Sequence, residues 1–124
     1  MGGQHSVLDL QAARIEAVWA TDASQLRQAQ RLRYRVFAEE MGAQLPSWPG
    51  AEPALDIDAF DAFCEHLLVQ TAETDDAPAQ VVGTYRVLTP AAARLAGGLY
   101  SDSEFDLSAI DSLRPRVAEL GRSC

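Results

Sequence analysis

The alternation of apolar and polar residues along the chain predicts a β-sheet. Strand patterns rich in β-branched and aromatic side chains occupy residues 15–20, 65–72, 80–89 and 117–124. The third of these, 80-QVVGTYRVLT-89, has the clearest period of two and is predicted to lie at the centre of the sheet. The polar link 73–80 predicts a hairpin between the second and third strands.

The third strand carries an arginine on an otherwise apolar face. By alternation, one face consists of Val82, Thr84, Arg86 and Leu88. An unpaired buried charge is costly, so Arg86 predicts an acidic partner. The acidic turn 56-DIDAFD-61 supplies several candidates.

A helical period predicts one long helix between the first two strands. The run 21-TDAS-24 offers N-cap residues, and the helix is predicted from Ser24 to Met41, with Gly42 as its stop. The arc predicted to face the core consists of Leu26, Ala29, Leu32, Val36, Phe37 and Met41. Arg33 lies in the middle of this arc, so we expect it to be buried against an aspartate of the acidic turn. The opposite, solvated side carries Arg27, Arg31 and Arg35.

The remaining segments are irregular or short. Residues 42–55 contain three prolines and Trp48, and predict a long loop of the kind that forms lids or binding segments. A short helix is predicted over residues 91–98 and a helical turn over residues 101–113. The last predicted strand ends at the last residue, which is unusual for an independent domain, so we expect the front part of a longer protein.

Composition narrows the class of protein. The chain has 124 residues, 48% of them hydrophobic, which fits one domain with a modest core. Its net charge of −8 argues against a nucleic-acid partner or an anionic membrane surface. No run of about 20 apolar residues and no secretory signal is present, and Cys64 and Cys124 have no metal spacing. A cytoplasmic protein without a metal site is the simplest interpretation.

Two constellations could carry chemistry. Arg33, Arg86 and the aspartates of the turn could bind a polar substrate beneath a cleft, or could simply join helix to sheet. Near the end of the chain, a bulge at Gly121 would bring Glu119 and Arg122 together and free a backbone N–H. A proton acceptor beside an oxyanion donor suits acyl transfer to an amine. The alternative is an ordinary strand with a surface ion pair.

These residues resemble the acyl-carrier-dependent N-acyltransferases of the GNAT superfamily. The likeness is greatest to the ornithine–acyl-carrier-protein N-acyltransferases, sometimes called hemolysin-like, which begin ornithine lipid synthesis. It is carried by 32-LRYRVFAEEMGA-43, 56-DIDAFDAFCEHLLV-69, 81-VVGTYRVL-88, 98-GLYSDSEFDLS-108 and 114-RPRVAELGRSC-124. A more distant likeness runs to the acyl-homoserine-lactone synthases.

The resemblance implies an α/β fold: a mixed, mostly antiparallel sheet with flanking helices, incomplete at its C-terminal end, over residues 1–124. It implies transfer of an acyl group, expected to be 3-hydroxylated, from the pantetheine arm of acyl carrier protein to the α-amine of ornithine. No other cofactor is expected, and the lipid product could bring peripheral membrane contact. The alternatives left open are a non-catalytic fragment or binding module of this fold and a homoserine-lactone-type signal synthase.

The resemblance also assigns roles to residues. Glu119 is expected to accept the amine proton, with Arg122 as its catalytic partner. The residues expected to bind substrate are Arg33, Phe37, Asp56, Asp58, Asp61 and Arg86. Because acyl carriers are acidic, the arginines on the solvated side of the helix, Arg27, Arg31 and Arg35, are also a candidate docking patch for the carrier; the alternative is an ordinary solvated helix face.

Overall fold

Four strands form one sheet in the computed structural model, which describes residues 14–45 and 53–124. They are β1 (Ile15–Trp19), β2 (Glu65–Thr71), β3 (Val81–Leu88) and β4 (Glu119–Gly121). The order across the sheet is β1-β2-β3-β4, and all three pairings are antiparallel. The third strand is therefore an inner strand, as the sequence predicts, and the α/β expectation is confirmed.

The predicted helix is present but changes its geometry halfway. Helix α1 (Ala23–Arg33) begins at Asp22, whose Oδ1 accepts a hydrogen bond from the N–H of Gln25 at 2.8 Å. It continues as a π-helical segment (Tyr34–Glu40), and the chain then turns at Gly42, whose φ of +75° favours glycine. The wider π turn changes the angle between successive side chains. Met41, predicted to face the core, is therefore 70% exposed.

Helix α1 covers one face of the inner strands. Ala29 and Leu32 of the helix are buried, as are Leu68 of β2 and Leu88 of β3 on the facing side of the sheet. Val82 departs from the predicted alternation and is 48% exposed. The reason is a bulge in the β2–β3 register, where Val69 pairs with Gly83 but Gln70 pairs with Val81.

Short helical segments connect β3 to β4. Helix α2 (Pro90–Ala96) begins at Thr89, whose hydroxyl accepts a hydrogen bond from the N–H of Ala92, and ends at Gly97 with φ +90°. Two 3₁₀ segments follow, Tyr100–Ser103 and Ser108–Arg116. The predicted helix at 91–98 and helical turn at 101–113 correspond to these elements.

Two further features of the sequence can be compared with the described residues: the long loop around Trp48 and the expected lack of a membrane span. Half of the long loop predicted over residues 42–55, including Trp48, lies outside the described residues, since positions 46–52 are not among them. Among the described helices, none has the length and apolar character needed to cross a membrane.

A buried group of charges joins the helix to the sheet. Arg33 of α1 is 1% exposed, and its Nε lies 3.0 Å from Asp56 Oδ2 while its Nη2 lies 2.8 Å from Asp61 Oδ2. The other oxygen of Asp61 lies 2.9 Å from Nη1 of Arg86 on β3. One carboxylate thus bridges an arginine of the helix and an arginine of the strand, which confirms the predicted burial of both.

Neutral polar groups complete this cluster. The amide of Gln30 donates to Asp61 Oδ2 at 3.1 Å, and the carbonyl oxygen of Gln30 accepts from the N–H of Asp56 at 3.0 Å. His66 Nε2 donates to the carbonyl oxygen of Asp61 at 3.0 Å. The turn between residues 55 and 61 is held by these bonds, because it has no regular backbone ladder of its own.

Removal of the helix arginine should destabilise the protein strongly. In Arg33→Ala, Asp56 would keep its buried charge and lose its closest ion-pair partner, and Asp61 would lose one of two, so we expect the free energy of unfolding to fall by about 3–5 kcal/mol. The matched control is Arg35→Ala, which replaces an exposed arginine two positions away. This substitution should change the free energy of unfolding by about 0.5 kcal/mol or less. Urea denaturation of both variants measures the difference, and equal losses would contradict the importance of the buried pair.

The same cluster predicts instability in acid. Burial alone would raise the pKa of Asp61, but Arg33, Gln30 and Arg86 outweigh it and hold the pKa below 3.8. A carboxylate with a lowered folded pKa stabilises the fold above its unfolded pKa, and this stabilisation is lost as the pH falls through the folded pKa. We therefore expect the free energy of unfolding to fall below about pH 4.

The variant Asp61→Asn isolates this effect. It should be less stable at neutral pH, because two arginines lose their shared carboxylate, and its stability should fall less in acid than that of the unsubstituted protein. A loss of stability centred between about pH 6 and 7 would contradict the assignment to Asp61, because histidine titrates in that range.

Candidate active site

A cavity of about 380 Å³ lies where β3, β4 and the Tyr100–Ser103 segment meet. Its apolar lining includes Phe37, Phe60, Leu88 and Leu120, and its polar lining includes Arg86, Ser101, Glu119 and Arg122. A mostly apolar cavity with a few convergent polar groups is typical of a ligand-binding site. Four of the residues predicted from the sequence, namely Phe37, Arg86, Glu119 and Arg122, are therefore brought together here.

The end of β4 contains the bulge that the sequence analysis predicts. Gly121 pairs with Arg86, and Cys124 exchanges two 3.0 Å hydrogen bonds with Thr84. Two residues of one strand, Arg122 and Ser123, therefore stand opposite the single residue Tyr85. The bulge begins one residue after Gly121, and Arg122 has a left-handed backbone with φ +51°.

Glu119 points to the same cavity and is tied to the neighbouring segment. Its Oε1 accepts a hydrogen bond from the N–H of Tyr100 at 2.7 Å, and its Oε2 accepts one from the N–H of Ser101 at 3.0 Å and another from the Ser101 hydroxyl. A carboxylate has about four acceptor positions, and residues of the described part of the chain use three of them. One remains for a proton from a bound ligand or water.

Arg122 is held loosely beside the buried aspartates. Its Nη2 lies 3.3 Å from Asp58 Oδ2, and its Nε lies 3.6 Å from Asp56 Oδ2. The guanidinium carbon lies 5.7 Å from the centre of the Tyr100 ring. Arg122 thus connects the charge cluster beneath the cavity to the aromatic wall above it.

Arg86 forms the closest contacts at the base of the cavity. Its Nη1 lies 2.6 Å from Asp58 Oδ1, and its guanidinium carbon lies 5.5 Å from the Tyr100 ring centre and 5.9 Å from that of Phe60. Burial would raise the pKa of Asp58, but the hydrogen bonds and charges of Arg86 and Arg122 prevail and lower it. The carboxylate of Asp58 therefore stays ionised at neutral pH and contacts both arginines, Arg86 closely and Arg122 at a longer distance.

Other predicted site residues lie outside the cavity lining. Arg33, Asp56 and Asp61 are buried in the cluster below it and support Arg86 and Arg122 from behind. The proposed docking residues Arg27, Arg31 and Arg35 are all exposed, and none lines the cavity. Direct contact of any of these with a substrate or carrier stays a prediction.

The sequence analysis did not single out several residues of the site. Tyr100 and Ser101 supply backbone donors to Glu119, and Tyr100 and Phe60 form an edge-to-face pair with ring centres 5.5 Å apart. The sequence predicts a helical turn over residues 101–113, but no local pattern shows that this turn meets β4. The role of Tyr100 becomes visible only in the tertiary structure, where the Tyr100–Ser103 segment meets β4.

Cys64 lines the cavity as a neutral thiol. Burial raises the pKa of the Cys64 thiol to about 11, so it remains protonated at neutral pH. Within the ranges 14–45 and 53–124, no group of three or more histidine, cysteine, aspartate or glutamate side chains could hold a metal ion. The polar side chains that line the cavity are two arginines, one carboxylate, three hydroxyls and one thiol, namely Arg86, Arg122, Glu119, Tyr100, Ser101, Ser123 and Cys64.

Known proteins share much of this sequence. It is 47% identical over 115 residues to a protein of Rhizobium meliloti (strain 1021) named L-ornithine N(alpha)-acyltransferase, covering 90% of this chain and 38% of that protein. Proteins of the same name from Agrobacterium fabrum (strain C58) and Rhodobacter capsulatus are 42% and 40% identical, over 89% and 85% of this chain. The chain spans about two fifths of the length of these relatives.

The family assignment rests on a match to a family profile. The profile of the acetyltransferase (GNAT) domain matches residues 32–124, which include the charge cluster, the cavity and the bulge. No solved structure matches the chain. By this match the chain belongs to the GNAT acetyltransferase domain family.

Proposed function

We propose that the protein containing this chain transfers an acyl group from an acyl-carrier thioester to the α-amine of ornithine. The observation that carries this proposal is that Glu119 and the bulge at Arg122–Ser123 line one cavity. The shared name of the relatives, L-ornithine N(alpha)-acyltransferase, supports ornithine as the acceptor. It favours this function over a signal synthase or a binding module.

The cavity suits the chemistry of acyl transfer. The neutral amine attacks the thioester carbonyl carbon, the C–N bond forms, and the carbonyl oxygen becomes an oxyanion. An N–H at the bulge would donate to that oxyanion. The C–S bond then breaks, the carrier thiolate leaves and takes up a proton, and Glu119 accepts the proton that the amine loses, directly or through a water.

The buried cluster has a supporting part in this mechanism. Asp58 holds Arg86 at 2.6 Å and Arg122 at 3.3 Å, so both guanidinium groups face the cavity with defined positions. The acyl donor would bring its own pantetheine arm, and no further cofactor is part of the proposal. We place the reaction in the cytoplasm, where acyl carriers are found, with membrane contact limited to the lipid product.

The exposed arginines offer a way to attract the carrier. Arg27 and Arg31 lie on α1 and Arg35 on the π segment, in a chain whose net charge is −8. A local basic patch steers an acidic partner toward an otherwise acidic protein and makes association sensitive to salt. We propose this patch as the docking surface for the acyl carrier.

The proposed reaction and its proton acceptor can be tested together. The full-length protein is given acyl carrier protein loaded with a labelled 3-hydroxyacyl group. It should form the N-acyl product with ornithine and not with S-adenosylmethionine, the acceptor expected for the alternative signal synthase. In the same protein, Glu119→Gln should lower kcat by about 10²–10⁴-fold, because it removes the proton acceptor. Product is measured by mass spectrometry.

Stability must be measured beside turnover for this variant. Glu119 also accepts hydrogen bonds from Tyr100 and Ser101, so Glu119→Gln should lower the free energy of unfolding by about 1–3 kcal/mol. The matched control is Glu104→Gln, an exposed glutamate near the same segment, which should change neither quantity. Near-normal turnover per folded molecule of Glu119→Gln would assign Glu119 a structural part only.

The docking patch generates a separate expectation. Replacement of Arg27, Arg31 and Arg35 by glutamate should raise the KM for the acyl carrier and flatten its dependence on salt, with the KM for ornithine unchanged. Reversal of the exposed Arg14, Arg94 and Arg116, which lie outside α1 and the π segment, changes the net charge by the same amount and is the control. Unaltered carrier kinetics in the triple variant would remove the patch from the proposal.

A further inference from the structure

Three arginines belong to the charge cluster, and they differ in how much of their binding capacity the protein uses. The side chains of Arg33 and Arg86 are 1% and 5% exposed, and that of Arg122 is 21% exposed. The first two make ion pairs of 2.6–3.0 Å with the aspartates. Within the described residues, the contacts of Arg122 with carboxylates are longer, 3.3 Å to Asp58 and 3.6 Å to Asp56.

Much of the guanidinium of Arg122 is therefore uncommitted. It has five N–H donors, and among the described residues only one of them makes a hydrogen bond, from Nη2 to Asp58. Its Nε is buried without a hydrogen-bond partner there, 3.6 Å from Asp56 Oδ2, and the residue lines a cavity able to hold a ligand. A buried donor of this kind is costly to leave unpaired.

The backbone conformation of Arg122 also supports a functional role for this residue. A φ of +51° is uncommon for a residue other than glycine or asparagine, and such conformations persist where the surrounding structure enforces them, often at functional sites. Here the bulge imposes it, and the arginine side chain is presented to the cavity between Tyr100 and the aspartates.

We propose that Arg122 binds the α-carboxylate of the acceptor amino acid and so selects an amino acid over a simple amine. This inference rests on the proposed function. In an α-amino acid the amine and the carboxylate are attached to the same carbon, so their binding groups must be close together. Glu119 and Arg122 meet this requirement, since both contact Tyr100 and both line the cavity. The guanidinium is the side chain whose planar donors match a carboxylate.

The pantetheine arm of the donor carries a phosphate, another oxyanion that an arginine can bind. The experiment therefore follows the two substrates separately. In the full-length protein, KM and kcat are measured for the acyl carrier, for L-ornithine and for ornithinamide, in which a neutral amide replaces the carboxylate. We expect the unsubstituted protein to use ornithinamide with a KM about 10–100-fold above that for ornithine.

The substitution Arg122→Gln should remove this discrimination. It should raise the KM for ornithine by about 10–100-fold and leave the KM values for ornithinamide and the carrier unchanged. The control Arg116→Gln removes one exposed positive charge elsewhere and should keep the discrimination. If Arg122→Gln does not fold, Arg122→Lys, which keeps the charge but not the paired planar donors, should give an intermediate loss.

Other results would overturn the inference. Equal use of ornithine and ornithinamide by the unsubstituted protein would do so, as would an equal loss on both acceptors in Arg122→Gln. A raised KM for the carrier alone would assign Arg122 to the donor phosphate instead. Absence of transfer to any acceptor by the unsubstituted protein is a distinct result, which would reject the proposed function and this inference together.

Discussion

An arginine removed from water is stable only beside carboxylates that replace its lost hydration, and this constraint acts on both the helix and the central strand. Asp61 satisfies it for both, with one oxygen on Arg33 and the other on Arg86. Because the two arginines come from different layers, the shared carboxylate fixes the distance between them. The turn that carries Asp61 has no ladder of its own, so its position follows from these charges.

The cavity depends on the same cluster. Asp58 continues the chain of ion pairs from Arg86 to Arg122, which lies beyond the end of β4. Tyr100 contacts both of these guanidinium groups, so an aromatic wall is placed opposite the carboxylates. A few charged contacts thereby couple the helix, the turn and two strands. Loss of Arg33 would therefore alter the positions of the arginines at the cavity, although Arg33 does not line it.

The end of β4 shapes the cavity in two ways, through its bulge and through the hydrogen bonds of Glu119. The bulge shifts the register by one residue, so that Glu119 and Arg122, which would face opposite sides of a regular strand, line one cavity. Glu119 in turn accepts hydrogen bonds from two consecutive backbone amides of the Tyr100–Ser103 segment. Glu119, the proposed proton acceptor, therefore also holds the Tyr100–Ser103 segment that forms one wall of the cavity. Its reactivity is thereby linked to local stability.

The sequence by itself determined the elements and the chemical types at the site. Alternation around Arg86, the helical phase of Arg33 and the acidic turn were enough to predict a central strand, a buried ion pair and its partners, because periodicity and the cost of an unpaired charge are local rules. Only the tertiary structure decided which aspartate bridges two arginines, that a π segment turns Met41 outward, and that a bulge exposes Val82. The meeting of Tyr100 with Glu119 was likewise decided there, since contacts between segments far apart in sequence depend on packing, register and backbone conformation that no local pattern contains.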